Sequence, residues 1–209
     1  MRIISRSFYD LGVDYNLSPE HWISTQTSSE LGEGVLLGEI VQCVSNQQIP
    51  PDDARFVLDT GNAREGLLDI TILGSPVSGR SSTKKIAYDG DVIISRLRPY
   101  LRQVALIPEG TCELLGIDKI YCSSEFFVLR ARQESVNIAG IVSWLLSPPI
   151  QEMINGAATG GHHPRIGVDL LLNAPVEARY LDANLGDEIA RLLRSHIEGQ
   201  RKLNVLLGH

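Results

Sequence analysis

Hydrophobic positions along the 209-residue chain change their spacing several times, and each change marks an element. Residues 1–30 hold no sustained period and read as an irregular lead-in, closing on the turn Asn16-Leu17-Ser18-Pro19-Glu20-His21-Trp22. Leu31 to Val44 is apolar enough for a helix or a strand, with Gly32, Gly34 and Gly38 weakening the helix. Phe56-Val57-Leu58-Asp59 reads as a strand ended by Thr60-Gly61-Asn62. Gly74 to Thr83, with Pro76, Gly79 and four serines, reads as an exposed loop. Strand signals follow at Asp91–Leu97, Gln103–Ile107 and Ser124–Arg130. The period then turns helical, with Ile138, Ile141, Val142, Leu145 and Leu146 on one stripe. Ser147-Pro148-Pro149 breaks that stripe, because proline lacks the amide proton and biases its predecessor away from helix. Ile150, Met153, Ile154 and Ala157 resume it in a second short helix, which Gly160-Gly161 is expected to end. Leu170–Val176 points back to the sheet, with Pro175 suggesting an edge.

The tail differs. Asp182 to Leu207 has no proline and predicts one helix of about 25 residues, roughly 37 Å long. Leu185, Ile189, Leu192, His196, Gly199, Leu203 and Leu206 alternate spacings of four and three, the seam of a coiled coil. His196 and Gly199 interrupt it. A strip this short needs a partner: its own domain, a second copy or another protein. The pattern as a whole predicts an α+β fold, a mixed sheet with packed short helices plus a protruding C-terminal coiled-coil helix. Residues 1–180 would form the main domain and residues 181–209 the helix for dimerisation or subunit contact.

Composition adds a globular class, with 43% hydrophobic and 21% charged residues. No apolar run reaches the roughly 18–20 residues of a membrane helix, and Met1 to Ser7 holds no apolar core of a signal peptide. Cys43, Cys112 and Cys122 are odd in number and widely spaced, which favours a reduced cytosolic protein over a disulfide framework or zinc knuckle.

Charge is distributed unevenly. Residues 1–78 carry four Arg against eleven Asp and Glu, whereas residues 79–165 carry ten Lys and Arg against eight Asp and Glu. Gly90 to Pro108 concentrates the contrast: two hydrophobic runs flank Arg96, Arg98, Tyr100 and Arg102, with no acidic residue between Ser95 and Pro108. In a chain of net charge −6, such a loop is either a solvated basic face or a surface for DNA phosphates and base edges. Arg80, Lys84 and Lys85 would neutralise phosphates. Arg96, Arg98, Tyr100 and Arg102 are candidates for base readout, since arginine pairs bidentately with guanine. Thr159-Gly160-Gly161-His162-His163-Pro164-Arg165 offers a second candidate loop: its glycines permit close approach and Thr159, His162, His163 and Arg165 supply donors.

Catalytic constellations are not evident. There is no GxxxxGK[ST] loop, no GxSxG elbow and no paired carboxylates of a nuclease. Ser147-Pro148-Pro149-Ile150 resembles the [DNS]-P-P-aromatic motif of amino-methyltransferases, but Ile150 stands where the base-stacking aromatic belongs. His162 and His163 invite a metal reading, yet adjacent residues project apart and no third ligand lies at usable spacing. The three cysteines fit buried apolar positions better than nucleophiles.

Five segments in order carry a resemblance. Leu37-Gly38-Glu39-Ile40-Val41, Gly90–Pro108, Cys122–Arg130, Ile150–Arg165 and Leu170–Val176 together resemble a target recognition domain of the DNA specificity (S) subunit of type I restriction–modification enzymes. The match spans roughly residues 31–178, and the closing helix resembles that family's conserved helical region. The resemblance implies a non-catalytic subunit of the prokaryotic cytoplasm. It would hold a methyltransferase (modification) subunit, and with it a restriction subunit, on a double-stranded DNA target. It implies no cofactor of its own, S-adenosylmethionine belonging to the methyltransferase. Family members usually carry two recognition domains separated by antiparallel helices, whereas this chain holds one of each and resembles a half-sized S subunit. Its helix would then pair with a second copy as a homodimer. Ala174-Pro175-Val176-Glu177 departs from the family's exit motif, a region that commonly meets the modification subunit. The opposing reading is a protein-interaction module or regulator that does not read DNA.

Overall fold

The computed structural model describes residues 33–49, 57–71 and 82–208. The expected lead-in (1–30), Phe56 and most of the 74–83 loop, Arg80 included, lie outside the described residues. The described residues open with β1 (Val35–Leu36), a single helical turn α1 (Leu37–Ile40), β2 (Val41–Cys43) and β3 (Gln47–Ile49). Next come β4 (Val57–Leu58), β5 (Ala63–Arg64), β6 (Leu67–Leu68), β7 (Ser82–Ala87), β8 (Val92–Ser95) and β9 (Val104–Leu106). After α2 (Thr111–Leu115) follow β10 (Ile120–Ser123) and β11 (Phe126–Ala131). The elements after β11 are α3 (Gly140–Leu145), α4 (Pro148–Gly156), α5 (Val168–Leu172), β12 (Pro175–Val176), a 3-10 turn (Ala178–Leu181) and α6 (Ala183–Leu207).

Two four-stranded sheets carry the fold. One is antiparallel in the order β2-β11-β8-β9; the other is mixed, in the order β3-β7-β10-β4, with β4 parallel to β10. All four residues of β8 are buried, so the strand reads as a continuous apolar run rather than an alternation. Its side chains still obey the two-residue period of a strand. Val92 and Ile94 enter one core with Val104, Leu106, Phe127 and Leu129, while Ile93 enters another with Ala105, Phe126 and Val128. The first core is closed by Ile141, Trp144 and Leu145 of α3, Ile150, Met153 and Ile154 of α4, and Leu171 of α5. The second is closed by Leu58, Ala87, Ile120 and Cys122 of the mixed sheet. The antiparallel sheet is therefore the middle layer, with helices on one face and the mixed sheet on the other. This bears out the expected α+β class with a mixed sheet and packed short helices.

Local chemistry explains the helical breaks. Ser147 is extended (ψ 147°) and Pro148 and Pro149 occupy the first positions of α4, where an amide proton has no partner to lose. Trp144 is buried, and its indole donates to the Pro175 carbonyl at 3.1 Å, tying α3 to β12. Two expectations need correction. α4 ends at Gly156, not at Gly160-Gly161. Residues 159–165 instead close a small loop of their own, in which Gly160 adopts φ 105°. Leu170 to Leu172 is helical, and only Pro175-Val176 returns to a sheet, pairing with β1.

α6 follows the expected bounds, with the Asp182 carboxylate capping the Leu185 amide at 3.0 Å and Gly208 ending it at φ 76°. Its packing differs from a free-standing helix. Ile189, Ala190 and Leu193 rest on the first core and Ile197 is buried in the second. Gln200 accepts from the Ile70 amide at 3.0 Å and donates to the Leu68 carbonyl at 3.0 Å. The protruding part is the last two turns, where Leu203, Val205, Leu206 and Leu207 are exposed.

Candidate nucleic-acid interface

The tip of the β8–β9 hairpin is built from backbone that most residues avoid. Glu65, Arg98 and Arg102 have φ of 48°, 49° and 52°, the three positive values at non-glycine positions among the described residues. Such left-handed conformations cost about 1 kcal/mol or more each, and persist where the surroundings fix them. Here all three meet at one loop. The Glu65 amide donates to the Arg102 carbonyl at 3.0 Å, and the Arg102 guanidinium lies 3.6 Å from the Glu65 carboxylate. Between Arg98 and Arg102, Pro99–Leu101 makes one 3-10 turn, with Pro99 buried and Tyr100 and Leu101 exposed.

The second loop is laced to the first. Leu97 and Arg165 form an antiparallel bridge. The Arg98 amide donates to the Pro164 carbonyl at 2.8 Å, and the Ile166 amide to the Arg96 carbonyl at 3.1 Å. A reciprocal pair of backbone bonds between Thr159 and Arg165 (2.8 and 3.0 Å) closes the 159–165 loop. Thr159, Gly160, Gly161, His162 and His163 are exposed at its rim. Arg98 Nη2 lies 3.2 Å from His163 Nδ1. A guanidinium only donates, so Nδ1 is the accepting side of this contact. Among the described residues, no three His, Cys, Asp or Glu side chains are grouped so as to hold a metal ion.

Glu125 organises the junction, and the sequence reading passed over it. Its carboxylate accepts from Arg165 Nε at 3.1 Å and Nη2 at 2.8 Å, and lies 4.0 Å from Arg96 Nε. Its carbonyl accepts from the Arg96 amide at 2.8 Å. The hydrogen bond from Arg165 holds the Glu125 carboxyl below its ordinary range, so the pairing is lost only as pH falls through that depressed value. A lone acidic residue between Ser124 and Phe126, where the strand meets two arginine loops, was the available signal.

The candidate residues thus divide. Arg96, Arg98, Arg165 and the 159–163 rim come together, and Tyr100 is exposed on the turn that follows Arg98. Arg102 points elsewhere: its Nη2 donates to the Leu146 carbonyl at 3.1 Å, so it anchors the loop to the end of α3. Lys85 corrects an expectation outright. It is 6% exposed, with Nζ donating to the Phe126 carbonyl at 2.6 Å and stacked 5.3 Å from the Phe127 ring, out of reach of a phosphate. Burial, with Arg96 adding to it, pulls its ammonium below the ordinary lysine value. Lys84, opposite Ser123 on β7, stays half-buried. Burial likewise pushes the Cys112 and Cys122 thiols up to about 12, so neither offers a thiolate nucleophile near neutral pH.

The expected seam also divides. Leu185 and Ile189 are half-buried, and His196 contacts Gln200 at 2.6 Å against the domain. Leu192 (52% exposed), Leu203 (53%) and Leu206 (82%) face solvent together with Gly199. The domain is met instead by a neighbouring seam, Gly186, Ala190, Leu193, Ile197 and Gln200, offset by one residue or about 100°. Among the described residues no helix is long and apolar enough to cross a membrane.

No family model matches the chain, and no curated protein matches it. Solved structures do. A chain from a structure of complex assembly and conformational transition of the type I R-M system is 21% identical with a TM-score of 0.52, the match covering 84% of this chain and 45% of that one. The HsdS subunit from Thermoanaerobacter tengcongensis is 14% identical with a TM-score of 0.42, covering 88% and 45%. The first likeness is one of fold, and this chain spans about 45% of the length of either neighbour.

Proposed function

We propose that this protein binds double-stranded DNA sequence-specifically as the non-catalytic specificity component of a type I restriction–modification or related defence system, directing a methyltransferase and endonuclease complex to its target. One observation carries this reading: two loops 60 residues apart in sequence are laced into one rigid surface presenting Arg96, Arg98, His162, His163 and Arg165. Rigid placement of arginines and backbone amides is what base-edge and phosphate recognition require. The fold shared with a chain of the type I R-M system, whose structure concerns complex assembly, supports the same assignment. A modification subunit, and with it a restriction subunit, would be the protein partners, with S-adenosylmethionine bound by the former.

Salt titration tests the electrostatic part. Duplex binding should weaken linearly in log–log form, with a slope of roughly −3 if Arg96, Arg98 and Lys84 each displace about one counterion, Arg165 being paired with Glu125. A flat salt dependence, or no binding at 50 mM salt, would remove the assignment.

The chain spans about 45% of the length of its structural neighbours, and its exposed helical stripe offers a surface for a second recognition unit. Leu192, Gly199, Leu203 and Leu206 fit a second copy. Nothing lies within 4 Å of a Cβ added at Gly199, so a partner helix can approach closely there. The helix is acidic early (Asp182, Asp187, Glu188) and mostly basic late (Arg191, Arg194, Arg201, Lys202), which suits antiparallel pairing. Replacing Leu203 and Leu206 with aspartate should shift the protein from dimer to monomer in sedimentation equilibrium while leaving its far-UV circular dichroism at about 25 °C near wild type, both side chains being exposed. A wild-type monomer at 100 µM would refute the homodimer and favour pairing with a different chain.

The opposing reading, a protein-interaction module, draws on the same stripe. It differs in leaving duplex binding independent of sequence.

A further inference from the structure

The strained hairpin tip does more than aim arginines. Arg98 and Arg102 both take left-handed backbone, a conformation glycine would adopt without strain. What that conformation achieves is the projection of Tyr100 and Leu101. They are 56% and 44% exposed, although Pro99 just before them and Val104 three residues after Leu101 are buried. The turn is not loose. Leu101 and Arg102 amides close it on Arg98 and Pro99 (2.9 and 3.0 Å), the Arg98 amide is held by Pro164, and the Arg102 carbonyl by Glu65. α4 packs against its underside. The result is an adjacent pair of large apolar side chains on a braced turn that starts at Arg98, whose guanidinium reaches His163 of the 159–165 loop.

We infer that Tyr100 and Leu101 are a nonpolar reading element for base surface, a specificity determinant separate from the arginines; this rests on the DNA reading proposed above. Arg98, next to the pair and facing His163 rather than a carboxylate, selects the occupant, because a polyanion satisfies it on the same approach that brings the apolar pair onto the bases. Two base surfaces are apolar enough to meet it. One is the thymine 5-methyl group on the groove floor. The other is the face of a base at an opened step, into which leucine and other apolar side chains insert.

The test uses a duplex enriched from a random-sequence pool. Leu101→Ala and Tyr100→Ala should each lower affinity for that duplex by about tenfold, the effect of one mismatched base pair. Affinity for unselected duplex and the salt slope should stay unchanged, because no phosphate contact is lost. Leu101→Met should retain most of the affinity. With wild-type protein, thymine-to-uracil substitutions identify the methyl surface if one reproduces the tenfold loss and adds nothing to Leu101→Ala. Fluorescence increase of 2-aminopurine on binding identifies an opened step instead. Response in neither arm overturns the inference, as does a parallel fall in selected and unselected binding. Equal DNA binding by wild type and both alanine variants also overturns it; loss of a purified modification subunit by those variants would then assign the pair to protein contact. Failure of the pool to enrich any sequence removes the DNA reading itself, so the two failures are distinct.

Discussion

Arg98→Ala is expected to lower affinity for the preferred duplex by about 5- to 150-fold, corresponding to the ~1–3 kcal/mol of a bidentate arginine–base contact. Its unfolding midpoint should barely move. Arg98 Nη2 has one partner, the exposed His163, and Nε is buried, so a ligand would meet the outer Nη groups of the guanidinium. The backbone bonds of residue 98, to Pro164 and Leu101, survive the substitution. Arg98→Lys separates charge from geometry: it should keep the salt slope and lose discrimination, because an ammonium cannot make the planar two-point contact. Arg102→Ala should behave differently, lowering thermal stability and DNA affinity together, since its side chain holds the loop to Leu146 and Glu65. Equal affinities for wild type and Arg98→Ala, measured by fluorescence anisotropy, would take Arg98 out of the interface.

Arg130→Met is expected to destabilise the fold by about 3 kcal/mol, the lower end of the cost of stranding one member of a buried ion pair. Asp91 has 3% of its side chain exposed, and its two carboxylate oxygens accept from Arg130 Nε at 2.9 Å and Nη2 at 2.7 Å. Arg130 also donates to the Ile86 carbonyl at 3.1 Å and stacks 4.8 Å from the Tyr88 ring, linking the end of β11 to the mixed sheet. Removing it leaves Asp91 buried with the Tyr88 amide at 2.9 Å as its remaining donor. Asp91→Ala should cost less, because Arg130 is 30% exposed and can stay hydrated. Urea denaturation of the two variants measures the difference; a change below about 1 kcal/mol in Arg130→Met would contradict the stranded-charge argument.

These two side chains also explain why the chain was readable. Asp91 opens the Gly90–Pro108 motif and Arg130 closes the Cys122–Arg130 motif, and the structure joins them. The recognisable motifs are largely the ones that hold the sheet. Element bounds set by strong local chemistry were legible too, as with Asp182 and Gly208 around α6 or Pro148-Pro149 at the start of α4. The candidate site was legible as two loops but not as side-chain roles. Lys85 looked like its neighbour Lys84, yet strand alternation turns Lys85 inward with Ala87. Ala87, two residues on, was the signal. Arg102 looked like Arg98, and only the fold shows one carbonyl, at Leu146, waiting for it. The helix carried two seams one residue apart. The one that meets the domain includes Gly186 and Gln200, which no hydrophobic count selects: Gly186 sits under Asn137 and Gln200 under the backbone of residues 68–70.

Selection of bound duplexes from a random-sequence pool tests the central claim most directly. If the 96–103 and 159–165 loops form a base-reading surface and the chain pairs through its terminal helix, the wild-type pool should converge on a two-part motif with inverted halves. Arg98→Ala should degrade specific positions within each half. A pool that stays at its starting composition, under salt where the protein still binds duplex, would contradict sequence recognition and leave this fold as a protein-interaction module.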